Sequence, residues 1–191
     1  MLGHETSLIA ARFTQLAHEC GAQPAMTFRG DERRPDQTFE YDFAKFWRRV
    51  ERVTAHLQSS WGVQAGDRVV LDMQNCPQLV ITHFAILRID AVVVPVNPMN
   101  RAEELKHYIT DPDTKVAVTT ADLAPDLAQA SEALPPEQRL KHMVVTQFTD
   151  VFDPENLGPE DMPEAWRPWL LPVRDLPMLS SGRVHAWAAV M

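Results

Sequence analysis

Cysteine is scarce in this chain. Only Cys20 and Cys76 occur among 191 residues, far apart and with no histidine or cysteine at metal-ligand spacing. So thin a supply excludes a disulfide framework and reads as two thiols in a reducing compartment. Glycine is also rare, with seven residues, and no two form a G-x-G step. Gly62 and Gly66 share a turn, but no Lys-Ser or Lys-Thr follows, which excludes a Walker loop. Positive charge is in deficit: 18 Lys and Arg stand against 26 Asp and Glu, a net charge of −8. That balance argues against a nucleic-acid partner, which needs a basic face, and against adhesion to anionic lipid. No apolar run approaches the ~20 residues that span a bilayer. Met1 to Phe13 lacks a basic stretch followed by an apolar one, so no secretory signal is expected and the cytoplasm is the expected location.

What remains is an ordinary soluble composition, 45% apolar and 23% charged. Its length suits one structural domain. Thr6 to Cys20 carries Ile9, Phe13, Leu16, Ala17 and Cys20 at steps of three and four, one face of a helix capped by Thr6 or Ser7 and stopped by Gly21. Ala25–Arg29 and Thr38–Tyr41 flank a polar turn over Gly30–Gln37, the pattern of a β-hairpin. Asp42 is placed to cap a second helix with Phe43, Phe46, Trp47, Val50, Val53 and Leu57 inward.

From Trp61 the pattern changes to strands alternating with helices. Arg68–Met73, Ala91–Val96, Lys115–Thr120 and His142–Thr146 are strand-length runs rich in β-branched residues. Between them lie a nearly all-apolar helix opened by Pro77, a helix with Asn100 and Glu103 as a capping box, and a helix from Asp122 to Leu134. Runs without polar alternation indicate an α/β fold: a layered, mostly parallel sheet flanked by helices. The expected organisation is residues 1–60 as helix, hairpin and helix, 61–146 as the parallel subdomain, and 147–191 as an irregular proline-rich segment. In that last segment Trp166 and Trp169 act as anchors, and Ala186–Met191 reads as the start of a helix.

Several of these segments together resemble a known family. Thr38-Phe39-Glu40-Tyr41-Asp42-Phe43, then Gly62-Val63-Gln64-Ala65-Gly66-Asp67-Arg68-Val69, then Asn75-Cys76-Pro77, then Leu87 through Pro98, follow in the order and spacing of the AMP-forming acyl-CoA synthetases. Asn97-Pro98 with Glu103-Glu104-Leu105 is more similar to acyl- or aryl-CoA ligases than to peptide-synthetase adenylation domains. One departure stands out: the family has Ala-Gly where this chain has Ile89-Asp90. Aspartate tolerates a left-handed backbone better than most residues, so the turn is expected to survive.

The resemblance implies activation of a carboxylic acid, here a fatty acid, by ATP and Mg²⁺ to an acyl-adenylate, followed by transfer to coenzyme A. The loop that holds the triphosphate in this family lies beyond the last residue here. Ser180-Ser181-Gly182 lacks its second glycine and lysine and reads as a plain turn. No catalytic, cofactor or metal residues are therefore assigned. His83 reads as a core residue and His107 with Asp111 as a surface pair. Asp72 could serve as a base but has no nucleophile near it in sequence. The expected partners are the missing C-terminal part of a synthetase and, through an apolar face, a second copy. A stand-alone binding module on the same scaffold is the rival reading, and a flavodoxin-like nucleotide binder ranks behind it.

Overall fold

A computed structural model describes residues 8–29, 38–151, Glu164 and 175–191. The elements are α1 (Leu8–Glu19), β1 (Pro24–Arg29), β2 (Thr38–Asp42), α2 (Phe43–Ala55), β3 (Arg68–Asp72), α3 (Pro77–Arg88), β4 (Val92–Val96), α4 (Ala102–Thr110), β5 (Val116–Thr120), α5 (Ala124–Glu132), β6 (His142–Thr146) and β7 (Arg183–Ala186). β1 and β2 form the antiparallel hairpin, while β4-β3-β5-β6-β7 is a wholly parallel sheet. The α/β reading of the sequence holds.

The sheet grows in two directions from β3. The step to β4 runs one way through α3, and the steps to β5 and β6 run the other way through α4 and α5. Right-handed crossovers taken in opposite directions put their helices on opposite faces. Two cores result. Val69, Leu71, Val116, Val118 and Val144 pack beneath α2 and α3, with α1 outside them. Val70, Ala117, Met143 and Val145 pack beneath α4 and α5. β5 is buried at every position, as its unalternated Val-Ala-Val-Thr-Thr demands. Both sheet faces are thus covered. The exposed large apolar residues sit at the start of α1 (Leu8, Ile9), around the open β4 edge (Val92, Met99) and before β7 (Leu176, Met178).

Local sequence explains the joints. The Asp42 carboxylate accepts the Lys45 N–H at 2.6 Å and caps α2 as expected. Asp90 adopts φ 56°. The Ala91 N–H reaches the Ile86 carbonyl (3.2 Å) and the Asp90 N–H the Leu87 carbonyl (3.2 Å), which is a Schellman ending for α3. The turn missing its glycine therefore survives, and β4 leaves it in register, Arg68 opposite Val92.

Three expectations are corrected. The capping box at Asn100 and Glu103 moves one residue: the Arg101 backbone N–H donates to the Glu104 carboxylate at 2.8 Å. Arginine has no side-chain acceptor, so only that half of the box forms. Asp122 does not cap α5, because a turn closed by the Leu123 N–H on the Thr120 carbonyl (3.0 Å) delays the helix to Ala124. The helix expected over Ala186–Met191 is absent. Arg183–Ala186 is instead a fifth parallel strand, followed by a single 3₁₀ turn, Trp187–Ala189. Gly182 permits this, since a Cβ there would lie 2.7 Å from the carbonyl oxygens of both Leu140 and Lys141. Trp187 and Val190 then fill the α2–α3 core, 2% and 3% exposed. Thr6, Ser7, the Gly30–Gln37 turn, Trp166, Trp169 and most of the proline-rich stretch lie outside the described residues.

Candidate functional site

In open parallel sheets the crevice for a ligand opens where neighbouring strands send their chains to opposite faces, beyond the C-terminal strand ends. Here that place lies between β3 and β5, where Asp72 stands opposite Thr119. β3 leads into α3 on one face and β5 into α5 on the other. Strand alternation puts Asp72 on the side of Val70, toward α4 and α5, and puts Thr120 on the α3 side.

Asp72 is the most perturbed group at this crevice. It is 2% exposed, and its carboxyl is pushed up from 3.8 to about 7, first by burial and then by the charges of Asp122 and Asp126. Asp126 is itself tied to Arg101 at 3.0 Å. Across the sheet, Cys76 opens α3. Burial pushes its thiol up to about 11, although the backbone N–H groups of Leu79 and Gln78 pull the other way. A thiol so held is not a nucleophile near neutral pH. Beside it Gln78 is buried, its Nε2 donating to the Gln147 carbonyl at 2.8 Å. Among the described residues, its Oε1 and the Oγ1 of buried Thr120 have no hydrogen-bond partner. Thr146 Oγ1 and the Gln147 N–H both donate to the Asp150 carboxylate, at 3.0 and 2.8 Å.

This set does not fit a triphosphate. The carboxylates Asp72, Asp122 and Asp126 would repel it, and the nearby cation Arg101 already faces Asp126. Nor do three His, Cys, Asp or Glu side chains converge as metal ligands among the described residues. Asp72 has a proton to exchange near pH 7, but Cys76 beside the crevice is inert, so among the described residues no acid–base–nucleophile set assembles at this crevice. His83 packs edge-on against Phe84, centroids 5.8 Å apart. His107 and Asp111 sit at the exposed end of α4, joined by a helical backbone bond of 3.0 Å. Among the described residues no helix is long and apolar enough to cross a membrane. Sequence reading singled out Asp72 but not the charges of Asp122 and Asp126 beside it. Their nearness depends on β3 lying beside β5, which sequence spacing does not reveal.

Comparison with known proteins gives a consistent result. The AMP-binding enzyme family pattern matches residues 13–182. A long-chain-fatty-acid–CoA ligase of Yersinia pestis is 33% identical over 108 residues, 56% of this chain and 18% of that protein. A 4-coumarate–CoA ligase-like protein of Arabidopsis thaliana is 31% identical over 108 residues, again 56% of this chain and 20% of its own length. The fold is shared with a benzoate CoA ligase from Burkholderia xenovorans LB400, with a TM-score of 0.61 and 18% identity. That match covers 73% of this chain and 26% of the ligase.

Proposed function

The chain belongs to the AMP-binding enzyme family, and from that premise we propose that it forms the N-terminal part of a cytoplasmic acid–CoA ligase. The observation that carries this reading is the 33% identity to a long-chain-fatty-acid–CoA ligase over a stretch that makes up 18% of that relative. The proposed reaction joins a carboxylic acid, of the fatty acid class, to ATP with release of pyrophosphate. Coenzyme A then attacks the acyl-adenylate through its thiol. In this reading ATP, Mg²⁺ and coenzyme A are held by the rest of the ligase, and these residues supply a rigid parallel sheet against which that part packs. The strand ends support this division, because their buried carboxylate and inert thiol suit packing better than phosphate binding. By itself the chain is inactive. Val92 and Met99, exposed at the open β4 edge, are where it would self-associate.

The test is thioester formation. A longer protein from the same reading frame, given ATP, Mg²⁺, coenzyme A and a panel of fatty and aromatic acids, should consume free thiol in an acid-dependent way. The preferred acid then names the substrate. Loss of free thiol with none of the acids would overturn the reading.

A further inference from the structure

The opposite end of the sheet carries a different chemistry. At the N-terminal ends of β3, β5 and β6 lies a polar pocket of about 370 Å³. Its lining includes three cations, Arg68, Lys115 and Lys141, and two carboxylates, Asp67 and Asp113. The carboxylates are engaged. Asp113 pairs with Lys115 at 2.9 Å, and Asp67 accepts the Gln64 N–H at 2.8 Å. Lys115 also donates to the Glu137 carbonyl at 2.7 Å. The Arg68 charge also acts on Asp113, and among the described residues the side chain of Lys141 has no hydrogen-bond or ion-pair partner. In a chain of net charge −8, this pocket gathers three cations against two carboxylates.

Around it β6 and β7 assemble a ring cluster that sequence spacing hides. His142 Nδ1 lies 3.1 Å from His185 Nε2, with the rings stacked at 5.4 Å. The Trp61 ring faces both, at 6.4 Å from His142 and 5.5 Å from His185, and reaches His56 at 5.8 Å. Trp61 and His142 are themselves part of the pocket wall.

We propose that this pocket binds a small phosphate-bearing anion, held by Arg68 and Lys141 beside His142 and Trp61. The positive excess of the lining attracts a phosphoryl group, and charge-assisted hydrogen bonds from Arg68 and Lys141 to its oxygens are the strong kind. The histidines add a pH dependence. A ring-to-ring N–H···N bond needs one unprotonated nitrogen, so the two rings cannot both be imidazolium and keep it. Burial first, then Arg183 and the neighbouring histidines, hold both rings below their ordinary value. The charges acting on the two rings are His56 and Arg183, and the pocket that His142 lines adds Arg68, Lys115 and Lys141 against Asp67 and Asp113. A bound anion offsets that positive excess and favours protonation, so affinity rises as pH falls.

The test is calorimetric titration of the 191-residue chain at low salt with inorganic pyrophosphate and, separately, with AMP. Saturable binding is expected, tightening on going from pH 8 to pH 6 by at most about tenfold for each unit by which the anion raises a histidine pKa. Lys141→Gln should weaken it about tenfold or more, by loss of one charged hydrogen bond. The double variant with Arg68→Gln should lose it. Tighter binding of AMP than of pyrophosphate identifies a nucleotide stacked at Trp61, and the reverse order identifies a free phosphate anion. In the unaltered chain, the imidazole NMR signals of His142 and His185 should move during the titration. No saturable binding of either probe, or binding that leaves those signals in place, would overturn the proposal.

Discussion

Replacing Asp72 with asparagine tests the physics of the strand-end crevice directly. Asp72 is 2% exposed, and its carboxyl is raised from 3.8 to about 7 by burial and by Asp122 and Asp126. Between those values the folded chain holds a proton that the unfolded chain has released. Stability is therefore full below the unfolded value and falls as pH rises through the folded one. The difference is worth about 4 kcal/mol across the window, at about 1.4 kcal/mol per pH unit. Asparagine keeps the shape and has no charge to bury. Asp72→Asn should thus match the parent near pH 4 and exceed it by about 4 kcal/mol near pH 8. Urea unfolding of both proteins across that range, read as the difference in stability, reports Asp72 together with its coupling to Asp122 and Asp126. A difference that stays flat with pH would refute the burial argument.

Other consequences are simpler to check. Asp90→Gly should stabilise the chain by about 1 kcal/mol in urea unfolding, because φ 56° costs an L-residue that amount and glycine nothing. Loss of stability would show that the aspartate side chain contributes to the turn. Trp187→Ala should cost about 3–5 kcal/mol, since the indole is 2% exposed in the α2–α3 core. A cost near zero would mean that β7 and its 3₁₀ turn are peripheral. Iodoacetamide near pH 8 should alkylate half-buried Cys20 in the native chain and Cys76 only after unfolding. A thiol raised to about 11 is ionised in only about one molecule in a thousand at that pH. Native labelling of Cys76 would contradict its burial.

Elements whose signals are local were legible in the sequence. Asp42 before Phe43 capped α2, Pro77 opened α3, and the β-branched runs at Val116–Thr120 and His142–Thr146 became strands. Signals that depend on distant partners were not. Arg183–Ala186 is four residues of mixed polarity, and its pairing with β6, from Arg183 opposite His142 to Ala186 opposite Val145, makes it a strand. Asp122 looked like a cap until the turn from Thr120 moved the helix start. At the crevice, Asp72 was visible as a residue, but its environment was not. The charge that raises it comes from residues 50 and 54 positions later, brought close by β3 and β5 lying side by side. His142 and His185, 43 residues apart, meet only through the pairing of β6 with β7.

ATP–pyrophosphate exchange by the 191-residue chain itself, run beside the longer protein with the same fatty and aromatic acids, tests the central claim most directly. The account predicts acid-dependent exchange in the longer protein and none in the chain. Exchange by the chain alone would contradict it, because a working nucleotide site would then exist beside a crevice whose buried carboxylate and inert thiol do not suit a triphosphate.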